Sequence, residues 1–461
     1  MEIINLKNFQ FGGLADSKFV GKKNSFADAK GIDLHSKPGL IRANQRMTDD
    51  SQGIIDDLII KILPASDGNT YLFGKDNGKV WKRSSTGLMS LVHTNSEGQI
   101  IDGEEFDGYI YYASSGKLGR KPFPGASDWS DVDDTWATFD NGDGEYHPMR
   151  RKNQVLFIGD GYQVAQVETT FTSDALVLEE QHRIASLGEV AHEVLIGTYV
   201  NDNVNESQIF RWNSWSEEWT TTDPIYEVGV NAFIPMDNVV FVQGGRKGSL
   251  YFYNGRQLEQ VARVPGDWSG EGRAYVRHNA VANLNGLPLF GMSNDNGNPI
   301  SQGVYSYGGY ARNYPNILNF EYELSCGNED VTIGAMKVVK DVLLVGWQSG
   351  SDYGLDKLDL ANKESGAYIT TRVITRDRSL REHYRLKIPY YSYPEDTEIK
   401  AYKSVNYGDF EEIALVKDDN NKMVVSQADI HGANTLQVKI EFITNANETP
   451  EIESIILETK T

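Results

Sequence analysis

Asp140-Asn141-Gly142-Asp143-Gly144-Glu145 gathers hard oxygen donors in one short run, the donor type that Ca2+ takes. The spacing lacks the full loop of an EF-hand. The run therefore reads first as an acidic turn, with Asp140, Asp143 and Glu145 as candidate Ca2+ ligands in a surface loop. The histidines stand at positions 35, 93, 147, 182, 192, 278, 383 and 431 and form no His-Glu-x-x-His pair or compact ligand cluster; His182 and His192, in or beside expected strands, read as structural. Trp212, Trp215 and Trp219 present aromatic faces of the kind that bind sugars. Aromatic residues on outer strands more often seal one sheet against the next, and packing is the first reading here. No Gly-x-Ser-x-Gly elbow and no phosphate-cradling Gly-x-x-x-x-Gly-Lys-Ser loop occurs. Ser66-Asp67-Gly68 matches the turn of sialidase-type hydrolases only out of register, and once. No acid/base couple can be named among so many carboxylates. The sequence is read as non-enzymatic, with no catalytic residue and no cofactor.

Composition narrows the classes further. With 65 acidic against 44 basic residues, the 461-residue chain carries a net charge of -21. Such a surface repels nucleic acid, so sequence-specific DNA binding is not expected. Hydrophobic residues at 39% supply a large core, and 44 glycines with 24 tyrosines and 18 phenylalanines suit strands joined by tight turns. The single cysteine, Cys326, excludes a disulfide within the chain. The first residues, Met1 to Lys7, lack the pattern of a secretory signal, and nothing approaches the ~18 consecutive apolar residues of a spanning helix. Assembly in a reducing cytoplasm without membrane insertion is the expectation.

The elements that position these residues follow from a recurring unit. Val239 to Tyr253 is an apolar strand, a Gly-rich turn and an aromatic return strand, which predicts a β-hairpin. The same plan recurs at Tyr71–Trp81, Tyr109–Leu118, Val155–Val167, Val194–Trp212, Leu287–Tyr307 and Val342–Leu360. Successive units begin about 38 to 55 residues apart, the spacing of β-propeller blades. The fold class expected is therefore all-β: a β-propeller of about seven blades over 58–375. Leu58-Ile59-Ile60, Val155 to Ile158 and Val342 to Val345 are read as inner strands, and Phe123–Asp143 and Tyr310–Asn328 as insertions outside the blades.

Residues 1–57 lack the hairpin rhythm and have few apolar positions. They read as an extended N-terminal arm lying on the propeller or a neighbouring subunit, or else as a strand completing the last blade. After Thr375 come Arg376, Arg378, Arg381 and Arg385, then about five alternating strands, among them Thr435 to Phe442, which predict a small β-sandwich over 376–461. Phe9, Phe11, Phe19 and Phe26 in the arm, with those four arginines, are the candidate interface residues.

Phe9-Gln-Phe-Gly-Gly-Leu-Ala-Asp-Ser-Lys-Phe, followed by Gly31-Ile-Asp-Leu-His-Ser-Lys-Pro-Gly-Leu-Ile, resembles the start of virion structural proteins of tailed bacteriophages. Leu436-Gln-Val-Lys-Ile-Glu-Phe and Thr449-Pro-Glu-Ile-Glu-Ser-Ile resemble their closing β-sandwich. The resemblance implies a tail component of the nozzle or ring type, located in the virion after assembly in the host cytoplasm. Its partners would be copies of itself and other tail proteins, and an acidic lining would limit contact with passing DNA to passive encounters. The alternative is a propeller that binds or cleaves glycans on a host cell surface.

Overall fold

The computed structural model describes residues 3–126, 128–141, 146–201, 204–236, 239–266, 273–295, 301–309, 314–375, 383–431 and 434–460. Among these residues the regular structure is β-strand, apart from one turn of 3-10 helix at Phe9–Phe11. The strands form seven four-stranded antiparallel sheets, two larger sheets and one short two-stranded pair.

Six of the four-stranded sheets are simple meanders, each made from four consecutive strands: blade one from Ile59–Pro64 to Met89–Thr94, blade two from Asp102–Phe106 to Asp133–Thr138, blade three from Met149–Lys152 to Phe171–Val177, blade four from Arg183–Val190 to Thr221–Ile225, blade five from Val230–Met236 to Leu258–Arg263 and blade six from Arg273–Leu284 to Ile317–Tyr322. The seventh takes Val331–Val339, Val342–Ser349 and Asp352–Lys363 from the chain that follows, and its fourth strand, Gln45–Asp49, from the N-terminal region. First strands touch the first strands of neighbouring blades in sequence, and Val331–Val339 touches Ile59–Pro64, which closes the ring.

Each hairpin read from the sequence is the second and third strand of one blade, for example Val239–Gly244 with Ser249–Tyr253. Central strands covered on both faces are mostly apolar, as in Val239–Gly244 and Val342–Ser349. Of the segments expected as inner strands, Ile59–Pro64 is a first strand, but Val155–Asp160 and Val342–Ser349 are second strands. The supposed insertions also belong partly to blades: Asp133–Thr138 and Ile317–Tyr322 are fourth strands. Their half-exposed or mixed composition hides the strand pattern.

Buried polar side chains join blade to blade. The Gln243 carboxamide oxygen accepts from the Val276 amide at 3.0 Å, Ser293 Oγ accepts from Ile333 at 2.9 Å, and Ser186 Oγ donates to the Val230 carbonyl at 2.7 Å. Each satisfies a backbone group that a gap between blades would otherwise strand away from water.

The first 57 residues are not a separate extended arm. Ile3–Lys7 pairs with Ser454–Lys460 at the edge of one larger sheet, Phe26–Lys30 pairs with Ala367–Thr371 at the edge of the other, and Gln45–Asp49 lies in blade seven. Ala367–Thr371 and Ile374–Thr375 both pair with Thr435–Ile443, so the C-terminal sheets begin before residue 376. Thr435–Ile443 buries Leu436, Val438, Ile440 and Phe442 and leaves its alternate residues half-buried. These side chains share one apolar cluster with Leu386, Ile455 and Leu457 of the other sheet and with residues of blades five to seven.

Candidate functional site

The strands of a meander place the turns between strands two and three, and the connections from one blade to the next, at the same end of the ring. There they surround an axial pocket of about 1170 Å3. Blade one contributes Lys75 from such a turn, blade four Arg183 and blade five Arg246; Arg273 and Arg277 come from the first strand of blade six. Glu180 is the one carboxylate among the described lining residues. A chain of net charge -21 thus collects five cations in one concavity. Composition predicts an acidic lining, whereas the described lining residues at this end of the axis are mostly basic in their charge.

Further along the same first strands the axis is occupied by paired charges. Lys61 of blade one lies 3.0 Å from Asp102 and 3.3 Å from Glu104 of blade two, and Arg150 of blade three lies 2.9 Å from Glu189 of blade four. Asp102 is buried, accepts from the Met149 amide at 2.7 Å and from Asn279 at 2.9 Å, and faces His278 at 3.4 Å. Burial alone would raise its pKa, but Lys61 and His278 outweigh burial and hold the carboxyl well below its usual range. Burial likewise disfavours the Lys61 ammonium, yet Asp102 and Glu104 raise its pKa. Lys337 of blade seven shifts downward, through burial and the nearby Lys61 charge.

Blade six departs from the others where it meets this pocket. In blades one, four, five and seven the first strand slips by one residue against the second, as at Ile59/Lys61 and Ile333/Ala335. In blade six the register passes from Val276↔Met292 to Val281↔Phe290, five steps against two. The wide bulge carries Arg277, His278 and Asn279. Bulges re-aim side chains, and this one turns them to the axis.

The residues singled out in the sequence fall elsewhere. Asp140 is exposed, and its amide donates to Asp160 at 3.0 Å; Asp143 and Glu145 lie outside the described residues. Among the described residues no group of His, Cys, Asp or Glu is placed to hold a metal ion. Phe9 and Phe26 are buried against each other, ring centroids 6.0 Å apart, so they are core residues and not interface anchors. Phe11 stacks on Tyr314 at 5.2 Å and Phe19 meets Tyr407 edge-on at 5.9 Å, and both keep an exposed face. Arg376, Arg378 and Arg381 lie outside the described residues; Arg385 is half-buried opposite Glu458 on the neighbouring strand.

Trp212 is buried and packs on Phe157 of the preceding blade at 5.5 Å, Trp219 packs on Phe210 at 5.3 Å, and Trp215 stands 87% exposed. The three indoles therefore do not form one platform. His182 is buried within reach of Thr198, whereas His192 is exposed in a turn, because the strand ends before it. Burial, with the Asp356 carboxylate, pushes the Cys326 thiol up to about 12, which makes it a poor nucleophile.

No family model matches the chain, and no curated protein does. Among solved structures it is similar to the extracellular domain of a one-component system from B. thetaiotaomicron, with TM-score 0.49, 15% identity, and 69% of this chain against 41% of that one. It is also similar to the WD40 domain of Neurospora crassa Pan2 (TM-score 0.44, 8% identity, 71% and 99% covered) and to the Dos1 propeller (0.42, 11%, 68% and 94%). The chain spans about two fifths of the length of the first of these. The fold rests on the strand pairing itself: the protein is all-β, and its four-stranded meanders meet first strand to first strand as the blades of a propeller do.

Proposed function

We propose that the chain is a non-enzymatic structural subunit of a tailed-bacteriophage virion, a seven-bladed propeller joined to a two-sheet β-sandwich in a nozzle or ring of the tail. One observation carries this reading. The two segments that resemble phage virion proteins, far apart in sequence, lie against each other. Ile41, closing the Pro38-Gly39-Leu40 turn, exchanges backbone hydrogen bonds with Ile452 at 2.9 and 3.0 Å. The Ala43 amide donates to Thr449 Oγ1 at 3.2 Å, and Glu451 receives Lys37 at 2.5 Å and Arg42 at 3.1 Å. A shared pair of end segments folding into one joint supports a common architecture for chains that carry both.

Copies of itself and other tail proteins are the partners on this reading, with exposed Phe11 and Phe19 and half-buried Arg385 as the remaining described contact candidates. The excess of acidic residues, 65 against 44 basic, disfavours adhesion of passing DNA on this reading. Mass spectrometry of purified particles tests the proposal. The protein is expected there in several copies per particle, cross-linked to itself; particles that lack it overturn the assignment.

A further inference from the structure

We propose that the axial pocket binds an acidic saccharide, its carboxylate or phosphate held by the arginines of blade six and its ring by the pocket tyrosines. This inference does not depend on the virion reading.

The geometry of one strand starts the argument. In Arg273–Leu284, Ala274 and Val276 are buried in the blade, so Arg273, Tyr275 and Arg277 alternate to the face on the axis. Arg277 lies over the Tyr275 ring at 5.8 Å, which orients its guanidinium. Arg277 Nε and His278 Nδ1 are both buried donor or acceptor positions without a hydrogen-bond partner. An unsatisfied buried nitrogen is costly, and a ligand oxygen that reaches it through a small shift of these partly exposed side chains would relieve it. The wide bulge that exposes these two residues to the axis has no counterpart in the other blades' register.

The anion follows from residue type. A planar guanidinium matches the two oxygens of a carboxylate or phosphate, and Arg183, Arg246 and Arg273 bring more of that chemistry to the same cavity. The saccharide follows from the rest of the wall. Tyr146 and Tyr199, 5.3 Å apart and tilted by 60°, stand beside the carboxamides of Gln181 and Asn231. Tyrosine faces and carboxamides are suited to the apolar faces and hydroxyls of a sugar ring. A volume of about 1170 Å3 accommodates more than one ring.

Calorimetric titration of the full chain tests this with digalacturonate and glucose 6-phosphate, which separate the carboxylate from the phosphate source. Maltose serves as the neutral sugar and inorganic phosphate as the bare anion. At least one acidic sugar is expected to bind about tenfold or more tighter than both controls, and Arg277→Gln to weaken it about tenfold. Arg246→Gln, on a turn, is expected to weaken binding in the same direction, while Lys340→Gln, in a turn at the opposite end of blade seven, leaves it unchanged. Melting curves identify any variant that fails to fold. Equal binding of maltose, equal binding of inorganic phosphate, no binding of either acidic sugar, or unchanged affinity in a folded Arg277→Gln or Arg246→Gln would each overturn the proposal.

Discussion

His35 and Glu321 meet at 3.1 Å inside the protein and fasten the N-terminal segment to the outer strand of blade six. Glu321 also accepts from Ser306 at 2.6 Å, Asn319 at 2.9 Å and Asn44 at 2.8 Å. Burial by itself would lower the His35 pKa, but Glu321, and then Asp33, raise it above the ordinary 6.5. Because the folded value exceeds the unfolded one, the stabilisation is complete below about pH 6.5 and is lost as pH rises through the folded value. The melting temperature of the parent protein should therefore fall relative to that of His35→Gln between about pH 6 and pH 9. Parallel melting curves for the two proteins would refute the linkage.

Truncation should injure the C-terminal sheets before it affects the blades. Deleting residues 1–30 removes an edge strand from each larger sheet, together with Phe9 and Phe26, whose burial is worth about 1.5–3 kcal/mol each. Limited proteolysis followed by mass spectrometry should show early cleavage within 383–460, with blades one to four protected. Deleting residues 1–50 also takes the fourth strand from blade seven and should open cleavage there. A 1–30 deletion that melts and digests like the full chain would contradict this arrangement.

Asp102 should be the most costly carboxylate to remove from the axis. Asp102→Ala leaves Lys61 buried with Glu104 as its remaining carboxylate and strands the Met149 amide, at a cost of about 3–5 kcal/mol by urea unfolding at neutral pH. The folded pKa lies below the ordinary 3.8, so this contribution is present above about pH 4 and disappears as pH falls toward the folded value. The stability gap between parent and Asp102→Asn should accordingly narrow in acid; a gap that stays constant would sink the account.

The tryptophans should separate cleanly. Trp212→Ala empties a site between blades three and four and should cost about 3–5 kcal/mol. Trp215→Ala should change stability by no more than about 0.5 kcal/mol, because the ring is exposed. Equal losses in chemical denaturation would show that Trp215 packs after all.

Local pattern reveals the strands that are apolar on both faces and conceals the others. Val239–Gly244 and Val342–Ser349 stand out because neither face meets water. First strands carry Lys61, Glu104, Arg150, Glu189 and Lys337 toward the axis, which breaks the apolar run. Gln45–Asp49 escapes local reading because its partner, Asp352–Lys363, is remote. The axial pocket is assembled from turns of different blades, so most of it has no linear signature. Arg273, Tyr275 and Arg277 are the exception: basic and aromatic residues alternating with apolar ones inside an acidic chain.

Placing Gln45–Asp49 beside Asp352–Lys363 in the last blade also sets a schedule for folding. Asp50 and Lys357, 307 positions apart and joined at 2.7 Å, cannot meet until Lys357 has left the ribosome. Blades one to six can form their hairpins in order during synthesis, but Gln45–Asp49 must wait for its partner strand, Asp352–Lys363. Contacts of such sequence separation make closure the slow step. Through that interval Phe9 and Phe26 lack the cover they find later, and the nascent chain is at its most prone to aggregate.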